Sequence, residues 1–141
     1  MNMIDYHVVI GRYFEAWNTG NLSLFDELLD PNYINHTPSV PGHPGIEGLK
    51  YIAGKIREGF PDINYEIIRA VTENNLIAVQ TLITGTNTGM LFGAAPTNRS
   101  IRVRQMQFEE IKSGKITQHW RITDDAEMQR QLKGITSSLS D

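Results

Sequence analysis

His119 to Leu132 reads HWRITDDAEMQRQL, a strand-like run that ends in two adjacent acids and passes into a helical pattern. Two chemistries compete for Asp124. A carboxylate at a strand's end, turned toward an apolar cavity, loses solvation in its charged form. Its pKa then rises, and it becomes a base for a carbon acid and an acid afterwards. The same residue, with Glu127 three positions on, also fits a capping box, where its oxygens accept backbone N–H groups. Cap and catalyst need the same oxygen atoms. Of the four histidines, His36 follows Asn35 in a loop and could hold a substrate carbonyl or shuttle a proton. A surface loop position explains it as well. His43 reads as exposed in PGHPG, and His7 as a plain helix position. No H-x-H or H-x-x-x-H pair occurs and cysteine is absent, so no metal site is expected.

Helices come first and strands after. Tyr6, Ile10, Tyr13, Phe14 and Trp17 stand at helical spacing, and Leu22 to Leu29 predicts a short second helix closed by Asp30-Pro31. NYINHTPSVPGHPGIEG, with three prolines and three glycines, predicts a loop with a short strand at Tyr33–Asn35. A third helix follows over Ile46 to Phe60. Ile63–Thr72, Leu76–Thr86, Ser100–Ile111 and Lys115–Thr123 predict four strands rich in Ile, Val, Thr and aromatics. Short turns make neighbouring strands antiparallel. Residues 126–133 predict a terminal helix and SSLSD a frayed tail. The expected class is α+β, one domain over residues 1–141, with an antiparallel sheet wrapped around helices and a cavity on its concave face.

A two-residue turn at Ser113-Gly114 sets a register for the last hairpin. It puts Gln107 opposite Trp120, Gln105 opposite Ile122, and Val103 opposite Asp124. Opposed residues share a face. The pocket face then carries Gln105, Gln107, Trp120, Ile122 and Asp124. The other carries Arg102, Arg104, Met106, Phe108, His119 and Arg121. Arginine with apolar side chains suggests a subunit interface there. Trp17, Phe60, Trp120, Met90 and Phe92 are candidates for the pocket wall, although each is equally at home in an ordinary core.

Bulk properties narrow the partners. A net charge of −3 without a basic run argues against nucleic acid, and no apolar run approaches membrane-span length. MNMIDYHVVIGRYF lacks a basic stretch and a small-residue cleavage site. With the absence of cysteine, this suits the cytoplasm.

Three stretches, spanning about His36 to Leu132, together resemble one family. They are NHTPSVPGHPGIEGLKYI, GTNTGMLFGAAPTNRSIRV and GKITQHWRITDDAEMQRQL. The family is the SnoaL-like polyketide (ester) cyclases, within the larger NTF2-like group. The resemblance implies a cone-shaped α+β barrel with a deep apolar pocket. It implies an intramolecular aldol condensation that closes the last ring of an aromatic polyketide methyl ester, without metal or cofactor, and a homodimer. An aspartate acts as general acid/base, and the matching position is Asp124, with His36 as a second catalytic candidate. The chain departs from the family pattern at three places. Asn87 stands in the glycine-rich loop where some members have histidine. Asn98 replaces a usual glycine. Gln105 or Gln107 occupies a strand region where compared cyclases carry a pocket histidine. These glutamines, or His36, are then the expected hydrogen-bond donors to an enolate. A non-catalytic binder of small apolar molecules is the alternative reading, as is an isomerase or dehydratase using the same pocket.

Overall fold

The computed structural model describes residues 5–135. The expected tail at Ser137–Asp141 lies outside the described residues. The helices are α1 (Tyr6–Thr19), α2 (Leu24–Leu28), α3 (Ile46–Gly59) and α4 (Asp125–Leu132). The strands are β1 (Leu29–Asn35), β2 (Asn64–Glu73), β3 (Leu76–Thr86), β4 (Ser100–Lys112) and β5 (Lys115–Thr123). α1 starts on Asp5, whose side chain accepts from His7 N, and stops at Gly20 in the left-handed conformation. Its Ile10, Tyr13, Phe14 and Trp17 are buried, the face that the spacing predicts.

The five strands form one open sheet in the order β1-β5-β4-β3-β2. The three hairpin pairings, β2 with β3, β3 with β4 and β4 with β5, are antiparallel. β1 corrects the all-antiparallel expectation: it pairs parallel with β5, Asn35 opposite His119. The strand is also longer than the segment Tyr33–Asn35 and takes in Pro31. An edge strand tolerates a proline because one side of it needs no ladder hydrogen bond.

The β4–β5 register is the second correction. Ser113 and Gly114 both have positive φ, 52° and 77°, as a tight hairpin turn requires, and Lys112 faces Lys115. The register then shifts between Glu110 and Ile111, so that Ile116 faces Ile111 but Gln118 faces Glu110. Thr117 is the extra residue. Its hydroxyl donates to Glu110 O at 3.1 Å and lies 2.7 Å from Glu110 Oε1. One inserted residue inverts every side chain beyond it. His119, Arg121 and Thr123 therefore turn inward beside Gln105, Gln107 and Glu109, while Trp120 and Ile122 turn outward with Met106 and Phe108.

Candidate active site

A cavity of about 510 Å³ lies between the inner face of the sheet and the helices. Its walls are apolar: Trp17 from α1, Ile52 and Ile56 from α3, then Phe60, Ile83 and Ile101. Leu91 and Phe92 close one side from the loop between β3 and β4. That loop is braced by Asn87, which is buried. Its amide nitrogen donates to Gly59 O and Gly89 O, and its oxygen accepts from Thr97 N and Oγ1. Gly89 lies so close to the end of α3 that an added Cβ would stand 1.9 Å from Glu58 O. The glycine in GTNTG is therefore a matter of space.

Polar groups converge on the β4–β5 side of this cavity. They form one head-to-tail chain. Arg121 Nη1 donates to Thr123 Oγ1, which donates to Gln105 Oε1, each at 2.7 Å. Gln105 Nε2 donates to Gln107 Oε1, and Gln107 Nε2 donates to Glu109 Oε1, again each at 2.7 Å. Alternate residues of one strand share a face, so the i, i+2, i+4 spacing of Gln105, Gln107 and Glu109 produces the row. His119 Nδ1 lies 2.5 Å from the same Glu109 Oε1.

Glu109 is fully buried, and desolvation pushes its carboxyl above the usual range, against the pull of His119 and Gln107. Its Oε2 has no hydrogen-bond partner among the described residues, nor has the buried Tyr33 hydroxyl. Burial also pushes the Tyr13 and Tyr33 phenols up, so both stay protonated. With Glu109 ionised, a proton on His119 Nδ1 donates to it, which leaves the Nε2 lone pair free. His119 lines the cavity, and its Nε2 has no hydrogen bond to any described residue. A carboxylate that orients an imidazole, with the other ring nitrogen open to a cavity, is the geometry of a general base.

The sequence-predicted residues divide. Trp17, Phe60 and Gln105 line the cavity, and Gln107 is buried in the row next to it. Asn87 braces the loop. His36 and Trp120 lie on the other side of the sheet. Their rings stack at 4.8 Å and 8°, and His36 Nε2 is 2.7 Å from Gln118 Oε1. The two aspartates are the reverse of the expected geometry. Asp124 is the N-cap of α4, accepting from Glu127 N at 3.2 Å, whereas Asp125 is exposed at the rim and lines the cavity. The shift at Thr117 is the cause, since it removes the parity that aimed Asp124 inward. Sequence reasoning missed Glu109 and His119. The signal was there: a buried Glu109 needs a basic partner, and the continuous register offered it only Gln118.

A family model described as SnoaL-like polyketide cyclase matches residues 7–132. Nogalonic acid methyl ester cyclase of Streptomyces nogalater is 29% identical over 119 residues, 83% of this chain and 89% of that protein. The crystal structure of wild-type IdmH, a proposed polyketide cyclase from Streptomyces antibioticus, matches at 27% identity with a TM-score of 0.80. The match covers 90% of this chain and 97% of that one. TsrD from Streptomyces laurentii shares the fold, with a TM-score of 0.83 at 22% identity over 96% of this chain and 99% of that one.

Proposed function

The chain belongs to the SnoaL-like polyketide cyclase family, and from that premise we propose that it closes a ring in a polyketide-derived substrate by an intramolecular aldol reaction without a cofactor. The observation that carries this reading is His119, oriented by the buried Glu109 and open at Nε2 to an apolar cavity. His119 Nε2 takes a proton from a carbon α to a carbonyl. The enolate carbon attacks a second carbonyl carbon of the same molecule, forming the new C–C bond. The resulting alkoxide recovers the proton from His119. No electrons are gained or lost, so the step balances without a redox partner. The cavity's share is to hold both carbonyls close, which makes the reaction effectively unimolecular. Gln105, beside His119 on the inner face, has a second Nε2–H beyond the one given to Gln107, and it supports the carbonyl oxygen that becomes negative.

The test offers nogalonic acid methyl ester, the compound in the relative's name, and the corresponding free acid, with solvent deuterium as a second readout. Wild type is expected to close the ring and to exchange the α-proton. His119→Gln is expected to lose both by on the order of 10²–10⁴, the usual worth of a general base. Tight binding by wild type with neither exchange nor ring closure would leave a non-catalytic ligand binder. A His119→Gln protein as fast as wild type would remove the base from the scheme.

The same reading includes a homodimer through the outer face of the sheet. Val71, Met106, Phe108 and Ile122 are all exposed there, Ile122 at 79%. Arg69 and Trp120 share the hollow they form. Arg and aromatic side chains among apolar ones have the composition of an interface core.

A further inference from the structure

Arg121 is the cation of the cavity, and its neighbours do not neutralise it. Its guanidinium donates to Thr123 Oγ1 at 2.7 Å, to Thr37 O at 3.0 Å and to Ser39 Oγ at 3.1 Å. All three acceptors are uncharged. They fix the fork between β5 and the loop after β1 and use three of its five N–H donors, leaving Nε–H and one Nη1–H. None of the ion pairs among the described residues includes Arg121. Glu109 is held by His119 and Gln107. Asp125 lines the same cavity without an ion pair to Arg121. Both Nη2 hydrogens are taken, so neither two-donor edge of the fork is open, but a half-buried, immobilised guanidinium with single free N–H donors and no counter-ion favours an anion that can accept from one of them, as a carboxylate oxygen does.

Resting on the ring-closing reading above, we infer that the substrate of this cavity carries a free carboxylate seated on Arg121, rather than the methyl ester in the relative's name. The hydrocarbon body lies against Ile52, Ile56, Phe60 and Leu91. One carboxylate oxygen accepts from a free N–H of the guanidinium, and the charge of the pair supplies the rest. β5 holds Arg121 two residues beyond His119, about 6.6 Å along one face at ordinary strand rise. The anion is therefore anchored to one side of the base, and the reacting carbon lies beyond it. An ester in that place accepts a hydrogen bond but brings no charge to answer the guanidinium.

The experiment is calorimetric binding of 9,10-anthraquinone-2-carboxylate and of its methyl ester to the full chain at neutral pH. Wild type is expected to bind the acid about tenfold more tightly, the scale of one charge-assisted hydrogen bond in a half-buried site. Arg121→Gln is expected to erase that preference, with ester affinity within about twofold of wild type. Arg121→Lys, which keeps the charge but loses the anchorage to Thr123, Thr37 and Ser39 that fixes its position, is expected to fall between the two. Should Arg121→Gln fail to fold, wild type alone decides. Its acid preference is expected to collapse at about 1 M salt, where the screening length is ~3 Å. Equal affinity for acid and ester, a preference that survives Arg121→Gln or high salt, or binding of neither probe would overturn the inference. The two readings fail separately. Loss of the ring-closing function shows as binding without α-proton exchange, and loss of the carboxylate site shows as equal acid and ester affinity with exchange intact.

Discussion

Two adjacent aspartates differ in what they touch. Asp124 spends an oxygen on the Glu127 amide, while Asp125 lines the cavity rim. Asparagine caps a helix as well as aspartate does, so Asp124→Asn should melt close to wild type and turn over at nearly the wild-type rate. Asp124→Ala should cost ~1 kcal/mol of stability. The contrary result, a rate loss of about a hundredfold in Asp124→Asn at unchanged melting temperature, would return the base to Asp124. Glu109 is the sharper probe. Glu109→Gln keeps an oxygen that accepts from Gln107 Nε2 and from His119 Nδ1–H, but removes the negative charge that stabilises the imidazolium formed when His119 takes a proton. The expected rate loss is on the order of 10²–10⁴. Its stability effect has the opposite sign. Burial raises the folded pKa of Glu109 above its unfolded value. What this residue adds to stability is therefore present below the unfolded pKa and is lost as pH rises through the folded one. Thermal melts from acid to alkaline pH should show Glu109→Gln gaining on wild type as pH rises. A gap that stays constant with pH would mean that Glu109 titrates as it does in the unfolded chain.

At the scale of elements, Thr117 decides which residues meet the substrate. Up to Ile116 the β5 alternation is the one that the Ser113-Gly114 turn sets, and beyond Thr117 it is inverted. Deleting Thr117 would restore the continuous ladder. It would point Trp120 and Ile122 into the cavity and His119 and Arg121 at solvent, and it would bury Glu109 without a base. An uncompensated buried charge costs several kcal/mol. The deletion variant is expected to lack a cooperative thermal transition by circular dichroism, whereas Thr117→Ser, which keeps the hydroxyl, should melt near wild type. A deletion variant as stable as wild type would show that the shift has no structural consequence. The element boundaries themselves were largely legible. Leu76–Thr86 and Lys115–Thr123 are the predicted strands residue for residue, and α3 begins at the predicted Ile46. β1 was half legible because Asp30-Pro31 reads as a break, and only its place at the edge next to β5 lets a strand run through it.

For the molecule as a whole, the outer face of the sheet is the feature that a lone chain leaves unexplained. Val71, Met106, Phe108 and Ile122 are more than half exposed, on one contiguous face. Light scattering at micromolar concentration should give the mass of a dimer, and Ile122→Lys should shift it toward the monomer with little change in the cavity's ligand affinity. A monomeric wild type would remove the interface. The expected face shared only part of this set: Met106 and Phe108 are on it, and Trp120 and Ile122 stand where His119 and Arg121 were expected. Among the described residues, no helix is long and apolar enough to cross a membrane.

The sequence by itself determined the local order of the chain and its family. Helical spacing buried Ile10, Tyr13, Phe14 and Trp17, and alternation aimed Gln105 and Gln107 inward. A positive-φ turn closed the last hairpin, and three motifs spoke for an α+β fold of the SnoaL-like family. These are properties of neighbours a few residues apart, so a window of sequence contains their causes. The tertiary structure alone decided which half of β5 faces the cavity. Period-two alternation carries no memory of one inserted residue. The apolar rhythm of Ile116, Trp120 and Ile122 even favours the wrong parity. What breaks the tie is non-local. Gln105, Gln107 and Glu109 are buried only if β5 offers them Thr123 and His119, and a buried carboxylate without a proton donor costs more than a bulge whose carbonyl Thr117 satisfies. The same balance leaves Asp124 as a cap and turns His119 toward the cavity.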